Sequence, residues 1–391
     1  MTRRIYLDNA ATSFPKPPAV MAAMRRYAEE IGASPGRGAY TESREAGRLL
    51  DDCRDLLRTL LGGTSSSHVI FTLNASDALN LAIHGLLRPG DHAITTFMDH
   101  NSVLRPLSEL VAAGVITQTR VACDPDTGLL DMTALGRAVS KKTRLIAVAH
   151  GSNVTGTLQP IRAIGKLARE HDIPFLVDAA QTAGHVPLDI EADNIDLVAV
   201  PGHKGLLGPL GTGALYIRPG LENKLRTLRQ GGTGSNSELD IQPDFLPDKY
   251  EPGSHNTIGL VGLAEGLKYI LERGVQSLWQ HDRELCQAML DEFNRDLPGL
   301  TWYGPRDLPE RTGVFCVRIH GFDDPLELSN ALESRFGLLT RAGIHCAPLA
   351  HQTIGTYPLG GTTRFSFGPF TTFNDVHALG EALETLCKPN A

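Results

Sequence analysis

Five short apolar runs, separated by segments of helical periodicity, constrain this chain more than any other feature of it. The runs are VIFT (69–72), AITTF (93–97), RLIAVA (144–149), PFLVD (174–178) and DLVAV (196–200). None shows the sustained polar alternation of a half-exposed strand, so each reads as a strand buried on both faces. Between and around them, 78–87, 101–113, 131–140 and 160–171 place apolar residues at helical spacing. Strand and helix in repeated alternation predict a parallel sheet with helices on both faces. Ligands on such sheets sit beyond the carboxyl ends of the strands, so the segment after each run is where chemistry is expected.

The pattern changes after about residue 260. Segments 259–273 and 275–295 read as helices, GVFCVRIHG (313–321) as a strand, and 325–336 and 373–387 as helices. The expected organisation is a large, mostly parallel-sheet domain over 15–258. A smaller α+β domain then takes 1–14 together with 259–391. A length of 391 residues suits two such units. No internal repeat or disordered linker interrupts them. The loop GGTGSNSE (231–238) is short enough to be a binding loop.

Composition narrows the partners. A formal net charge of -7 disfavours nucleic acid and anionic membranes, which both want a basic face. No apolar run approaches the ~20 residues of a membrane-spanning helix. The start, MTRRIYLDNAATSFPK, lacks the apolar stretch of a signal peptide. Six cysteines are scattered without a CxxC pair, which argues against zinc and against a disulfide framework. A reducing, cytoplasmic setting is expected. Cys53 and Cys286 lie in helical patterns and Cys316 in a strand pattern, where packing is their expected use.

Each strand end offers a distinct group. After the first run, NASDALN (74–80) opens a helix with Ala75 and Ser76, and a helix start with a hydroxyl suits phosphate. The second is followed by His100, the third by Asn153, the fourth ends on Asp178 with Gln181 three positions on, and the fifth leads to His203 and Lys204. A pyridine cofactor needs this set. Its ring nitrogen wants a buried carboxylate (Asp178), its phenolate oxygen wants donors (Gln181, Asn153), its face wants a flat partner (His100), and its aldehyde wants an amine (Lys204). Taken singly, these residues have plainer uses: Asp178 as a helix cap, Gln181 and Lys204 as surface groups. Five matched groups at five strand ends point to pyridoxal 5'-phosphate.

The segments LDNAAT (7–12), NASDALN (74–80), DH (99–100), SNVTG (152–156), VDAAQ (177–181), GHKG (202–205), EPGSHNT (251–257) and RAGIHCAPL (341–349) resemble the class V, fold-type-I pyridoxal phosphate enzymes. Within these the chain is most similar to cysteine desulfurases and selenocysteine lyases. RAGIHCAPL resembles the cysteine-bearing loop of the second desulfurase group, the SufS type. The resemblance runs from residue 5 to about 387. It implies conversion of L-cysteine to L-alanine, with sulfur left as a persulfide on Cys346. Lys204 is implied as the Schiff-base lysine that also carries the Cα proton, Asp178 as the pyridinium partner, and His100 as the stacking ring and acid/base helper. Gln181 and Asn153 are implied as ring-oxygen and substrate contacts, and Ser76 and His203 as phosphate contacts. Ser254 is implied to reach the phosphate of the other subunit in a homodimer. Arg364, in TTRFSFG, is implied to grip the substrate carboxylate, for which its planar fork is suited. Ala10 and Ala11 fall in a segment that closes over the substrate in relatives. For Cys346 the thiolate is the reactive form, and neighbouring His345 and Arg341 are expected to favour it.

The chain departs from the resemblance at two places. Pro201 stands where SufS-type relatives usually carry serine, and proline offers neither hydroxyl nor N–H. The segment HQTIGTYPLGG (351–361), next to Cys346, differs from the corresponding loop, which bears on substrate preference and on docking of a small sulfur-acceptor protein. Neighbouring activities are a selenocysteine lyase, another carbon–sulfur β-lyase, or a class V aminotransferase, in each of which Cys346 is dispensable. A sulfur-relay protein with negligible turnover of its own is a further alternative. The run GLLGPLGTG reads as a strand-turn segment, not as the glycine fingerprint of a dinucleotide site, which opens a helix.

Overall fold

The apolar runs do form strands, and their side chains divide between two cores. The computed structural model describes residues 4–36 and 38–388. Its strands are β1 (Ile5–Tyr6), β2 (Val69–Thr72), β3 (His92–Thr96), β4 (Thr117–Val121), β5 (Thr143–Ala149), β6 (Phe175–Asp178), β7 (Leu197–Pro201), β8 (Gly213–Ile217), β9 (Leu300–Tyr303), β10 (Val314–Ile319), β11 (Leu338–Leu339), β12 (Arg341–Gly343) and β13 (Thr362–Ser366). Its helices are α1 (Pro18–Arg26), α2 (Thr41–Leu61), α3 (Ala75–Leu86), α4 (Asn101–Ala112), α5 (Met132–Ala138), α6 (Ile161–Glu170), α7 (Thr257–Arg273), α8 (Val275–Phe293), α9 (Pro325–Phe336), α10 (Pro348–Thr353) and α11 (Phe373–Cys387).

The large sheet has the order β2-β8-β7-β6-β5-β3-β4. Successive residues alternate between its faces. Leu145, Ala147, Leu176, Leu197 and Ala199 pack with α3 and α4. Ile146, Val148, Phe175, Val177, Val198 and Val200 pack with α2, α6 and α7. Burial of both faces explains the apolar runs. One strand departs from the parallel expectation: β8 runs antiparallel to both β7 and β2. It is the continuation of the glycine-rich run, which folds back within the sheet. The other six strands run one way and deliver their carboxyl ends to one edge.

The second unit is an antiparallel sheet of order β12-β13-β10-β9, covered by α8 and α11. The two-residue β1 pairs with β11, which attaches the N-terminus to this unit. Helix α7 behaves differently from the sequence division. Its Leu260, Leu263, Leu267 and Ile270 join the core of the large sheet. Helix boundaries follow their caps. Asp324 accepts from Leu326 N at 2.8 Å, and Thr372 with Asp375 forms a reciprocal capping box.

One buried ion pair fixes the approach to α7. Glu251 accepts from Arg54 Nη1 at 2.7 Å and Nη2 at 2.9 Å, and from Phe71 N at 2.6 Å. The pair ties α2 to β2 and to the loop carrying Ser254. Such a pair is a weak net stabiliser, but loss of one partner strands a buried charge. Among the described residues no helix is long and apolar enough to cross a membrane.

Candidate active site

Two strand ends at the carboxyl edge of the large sheet are held together by one carboxylate to which the sequence pattern assigned no role. Asp99 is fully buried. Its Oδ2 accepts from Thr95 Oγ1 at 2.5 Å, Thr96 N at 2.7 Å and Thr96 Oγ1 at 2.9 Å. Its Oδ1 accepts from Ala149 N at 2.6 Å. The end of β3 is thereby pinned to the end of β5. Burial pushes its acid up to about 6, against the pull of these donors. The only signal for it in the sequence was its place before His100.

Beyond this edge lies a cavity of about 310 Å³. Ala75, Ser76, His100, Asn153, Asp178, Gln181, His203 and Lys204 all line it, together with Pro201. Eight predicted residues, drawn from five strand ends, therefore share one cavity. Gly202 and Gly205 hold the lysine loop close to its surroundings. A Cβ at Gly202 would meet Thr212 Oγ1 at 2.0 Å, and one at Gly205 would meet Ala183 O at 2.4 Å.

The electrostatics follow from burial. Lys204 is driven down to about 8, first by desolvation, with Arg364 and Arg341 adding repulsion and Asp178 and Asp8 opposing it. The Asp178 acid is pushed up by burial, while the Ala180 N–H and Lys204 pull it down. His100 caps α4, its Nδ1 accepting from Ser102 N at 3.1 Å, which leaves the ring proton on Nε2. Burial, then the charges of Lys204 and three arginines, push it down to about 4, so the ring is neutral at pH 7. Ser102 Oγ lies 2.6 Å from Ser76 Oγ, joining the α3 and α4 starts. Asn74 caps α3 through Asp77 N at 3.0 Å. The amides of Ala75 and Ser76 precede the first intrahelical bond and have no helical partner.

This donor set fits a phosphorylated pyridine aldehyde. The wall carries a buried, proton-hungry carboxylate, a lysine poised toward its neutral amine, and a neutral ring. It also carries His203 Nδ1, a buried nitrogen without a hydrogen-bond partner among the described residues. The His203 carbonyl is held from the other side by Ser13 N at 3.0 Å and Lys16 Nζ at 2.8 Å.

Of the remaining predicted residues, Arg364, Cys346, Ala11 and Ser254 do not line this cavity. Ala10 lines a smaller cavity of about 50 Å³ that meets the first at Gln181 and Lys204. Gln181 Nε2 donates to Ala10 O at 3.1 Å. Ala11 lines neither cavity, its N–H donating to Asp8 O at 3.0 Å. Arg364 is 1% exposed, with Nη1 donating to Asn153 O at 3.0 Å and Nη2 to Asp8 Oδ1 at 2.7 Å. Cys346 is exposed. Its carbonyl accepts from Asn101 N at 2.8 Å, and the preceding carbonyl, of His345, accepts from Asn153 Nδ2 at 2.6 Å. His345 and Cys346 both adopt left-handed backbone, at φ 51° and 58°. These two bonds hold that costly conformation in place.

One expectation changes, and Ser254 lies where a contact to another subunit, not to its own site, was expected. His345 was expected to favour the thiolate, but its ring is 4% exposed and burial holds it well below the usual range. It is neutral and anchors the loop by packing. Ser254 does not reach the Lys204 cavity of its own chain. It is exposed and lines a separate depression of about 80 Å³ with Arg229 and His255. The 231–238 loop also stays clear of both cavities.

This is the fold of the fold-type-I pyridoxal phosphate enzymes, with the lysine and aspartate at the strand ends. Residues 5–379 match the family described as Aminotransferase class-V, and the chain belongs to it. Members of that family are generally pyridoxal phosphate-dependent. The chain is 34% identical to a probable cysteine desulfurase of Methanothermobacter thermautotrophicus, over 98% of this chain and 94% of that protein. It is 31% identical to a cysteine desulfurase of Yersinia pestis, over 98% and 93%. The solved apo cysteine desulfurase of Thermococcus onnurineus NA1 superposes with a TM-score of 0.90 at 30% identity, covering 98% of this chain and 94% of that one. The S-sulfonic acid form of cysteine desulfurase CsdA from Escherichia coli superposes at 0.86 with 25% identity, covering 98% and 94%.

Burial of Lys204 predicts a pH signature in the apoprotein. Between about 8 and the ordinary 10.5 the unfolded lysine binds more proton than the folded one, so wild-type stability gains a rising component over that window. Urea midpoints measured across it should rise more steeply for wild type than for Lys204→Met. Equal slopes would show that Lys204 is solvated.

Proposed function

We propose that this chain is a pyridoxal phosphate-dependent cysteine desulfurase that converts L-cysteine to L-alanine and receives the sulfur on Cys346. The observation that carries the reading is a buried Lys204 that lines, with Asp178, the same cavity whose Asn153 holds the Cys346 loop. The names of the relatives point the same way.

Lys204, Asp178, Gln181, His100, Ala75, Ser76 and His203 would hold the cofactor. When bound, the pyridine ring supplies an electron sink for the substrate's Cα. Lys204 Nζ, lowered to about 8, is a competent base near neutral pH and takes the Cα proton. Arg364 binds the substrate carboxylate, and its burial strengthens that pairing. Asn153 ties the arginine to the nucleophile loop, so the carboxylate grip and the thiol share one support. The Cys346 thiolate attacks the substrate sulfur. The new S–S bond forms as the substrate's Cβ–S bond breaks, the bonding pair leaves with carbon, and protonation of that carbon, with return of a proton from Lys204 to Cα, completes alanine. A small acceptor protein carries the persulfide sulfur away. All six cysteines are free thiols, which fits a reducing cytoplasm.

The active unit in this reading is a homodimer. Ser254 is exposed and away from its own cavity, Leu73 lines the same depression as Ser254, and Leu73, Leu210, Leu228, Ile241 and Phe245 expose between 43% and 69% of their surface. Pairing two chains would cover these side chains and bring Ser254 to the partner's phosphate site.

Two results are expected. Protein incubated with L-cysteine and then digested carries one extra sulfur on the peptide containing Cys346, as read by mass spectrometry. Lys204→Ala carries none. Sulfur uptake at full level in Lys204→Ala would contradict the cofactor assignment. Sedimentation of the active protein gives a species of twice the chain mass, and a fully active monomer would contradict the dimer.

A further inference from the structure

The N-terminal segment places a carboxylate on the arginine that the proposed reaction assigns to substrate. Asp8 Oδ1 lies 2.7 Å from Arg364 Nη2, although the two residues are 356 positions apart. No other acidic side chain pairs with Arg364 among the described residues. The two partners differ sharply in access to water. The Arg364 side chain is 1% exposed and the Asp8 side chain 20%. A buried guanidinium without an anion is costly, so an empty site needs a counterion, and Asp8 supplies it.

The position of that carboxylate matters as much as its charge. Asp8 raises the affinity of Lys204 for its proton, so its charge is felt at Nζ as well as at the guanidinium. The carboxylate of an α-amino acid substrate must satisfy the same two conditions. It must pair with Arg364 and keep its Cα beside Lys204. Arg364 also holds donor capacity in reserve, since its Nε is buried and has no hydrogen-bond partner among the described residues. Its two bonded donors go to Asn153 O and Asp8 Oδ1. A backbone bond at Asn153 is fixed by the loop. The bond to Asp8 is made by a side chain on a short segment at the cavity rim, beside Asn9 and Ala10, which line the smaller cavity. That segment is tethered without help from the Asp8 carboxylate: Tyr6 Oη donates to the carbonyls of Asp8 and Thr12 at 3.1 and 2.9 Å, and Ala10 N donates to Ser366 Oγ at 2.8 Å.

We propose that Asp8 is a built-in stand-in for the substrate carboxylate, a specificity-determining residue that neutralises Arg364 in the empty site and gives way to an incoming α-carboxylate. The inference rests on Arg364 being the carboxylate-binding residue. Asp8 therefore sets the threshold for binding. A ligand carrying a carboxylate replaces what it displaces, whereas a ligand lacking one would leave Arg364 in the hold of Asp8 and gain nothing there. The released Asp8 carboxylate turns to water, which its partial exposure permits. The alternative use of the same contact is to orient Arg364 for substrate, and the two uses predict opposite signs on removal of the charge.

The experiment titrates holoenzyme with 3-mercaptopropionate, which carries the carboxylate and thiol of cysteine but no amino group to react at the cofactor. Binding is followed by calorimetry in wild type, Asp8→Asn, Asp8→Ala and Arg364→Lys, each checked for folding by circular dichroism. Loss of a competing ion pair of this kind is expected to tighten binding in the two Asp8 variants by about fivefold. The same variants should show a lower KM for L-cysteine. Binding that is unchanged or weaker in the Asp8 variants would overturn the stand-in and leave Asp8 as a positioning residue. Unchanged binding in Arg364→Lys, whatever the Asp8 variants do, would remove Arg364 from the carboxylate site and with it the ground of the proposal. Reading both Asp8 substitutions keeps the test decisive if one of them folds poorly.

Discussion

A lysine ammonium taken out of water at the end of a buried strand is the constraint around which this molecule is arranged. Desolvation drives Lys204 toward its neutral form, and two guanidiniums push in the same direction against Asp178 and Asp8. A group in that condition destabilises the fold unless the fold is rigid enough to hold it. The rigidity comes from below. β6 and β7 are fully buried, paired in parallel, and sandwiched between apolar cores on both faces. Gly202 and Gly205 let the lysine loop lie against its neighbours, and Thr12, Ser13 and Lys16 hold the peptide carbonyl just before Lys204. The stability of the sheet thus holds one amine out of water.

The thiol that the proposed reaction uses is held by a different logic. Cys346 stands exposed, on two consecutive left-handed residues, with its loop anchored through backbone carbonyls. In the proposed reaction, rigid anchoring with an open thiol would let Cys346 meet substrate from one side and an acceptor from the other. Asn153 connects the two halves, since its side chain supports the cysteine loop and its carbonyl supports Arg364. The large sheet and the smaller domain meet chemically at this residue.

Much of this was legible in the sequence, for a physical reason. Strands buried on both faces leave uninterrupted apolar runs, so β2, β3, β5, β6 and β7 could be located, and with them the strand ends that carry Ser76, His100, Asn153, Asp178 and Lys204. Helices α9 and α11 could be bounded because Asp324 and Thr372 cap them locally. What escaped was set by distant partners. β8 is glycine-flanked and has meaning only between β2 and β7. Helix α7 looked like part of the second unit until its apolar face met the first. The Asp8–Arg364 and Arg54–Glu251 pairs join residues 356 and 197 positions apart. His345 beside Cys346 suggested a nearby cation, and burial makes it a neutral packing group. Asp99 carries no pattern of its own, because its work is to accept four hydrogen bonds from two strands.

The claim that distinguishes a desulfurase from a lyase on the same scaffold is that Cys346 takes the sulfur. The direct measurement is L-alanine released per active site from L-cysteine in the presence of a thiol reductant, with wild type and Cys346→Ala side by side. The account predicts many turnovers for wild type and, for the variant, a loss of at least a hundredfold, in keeping with removal of an essential nucleophile. Equal release by the two proteins would contradict it, and would make the chain a β-lyase whose exposed cysteine is a bystander.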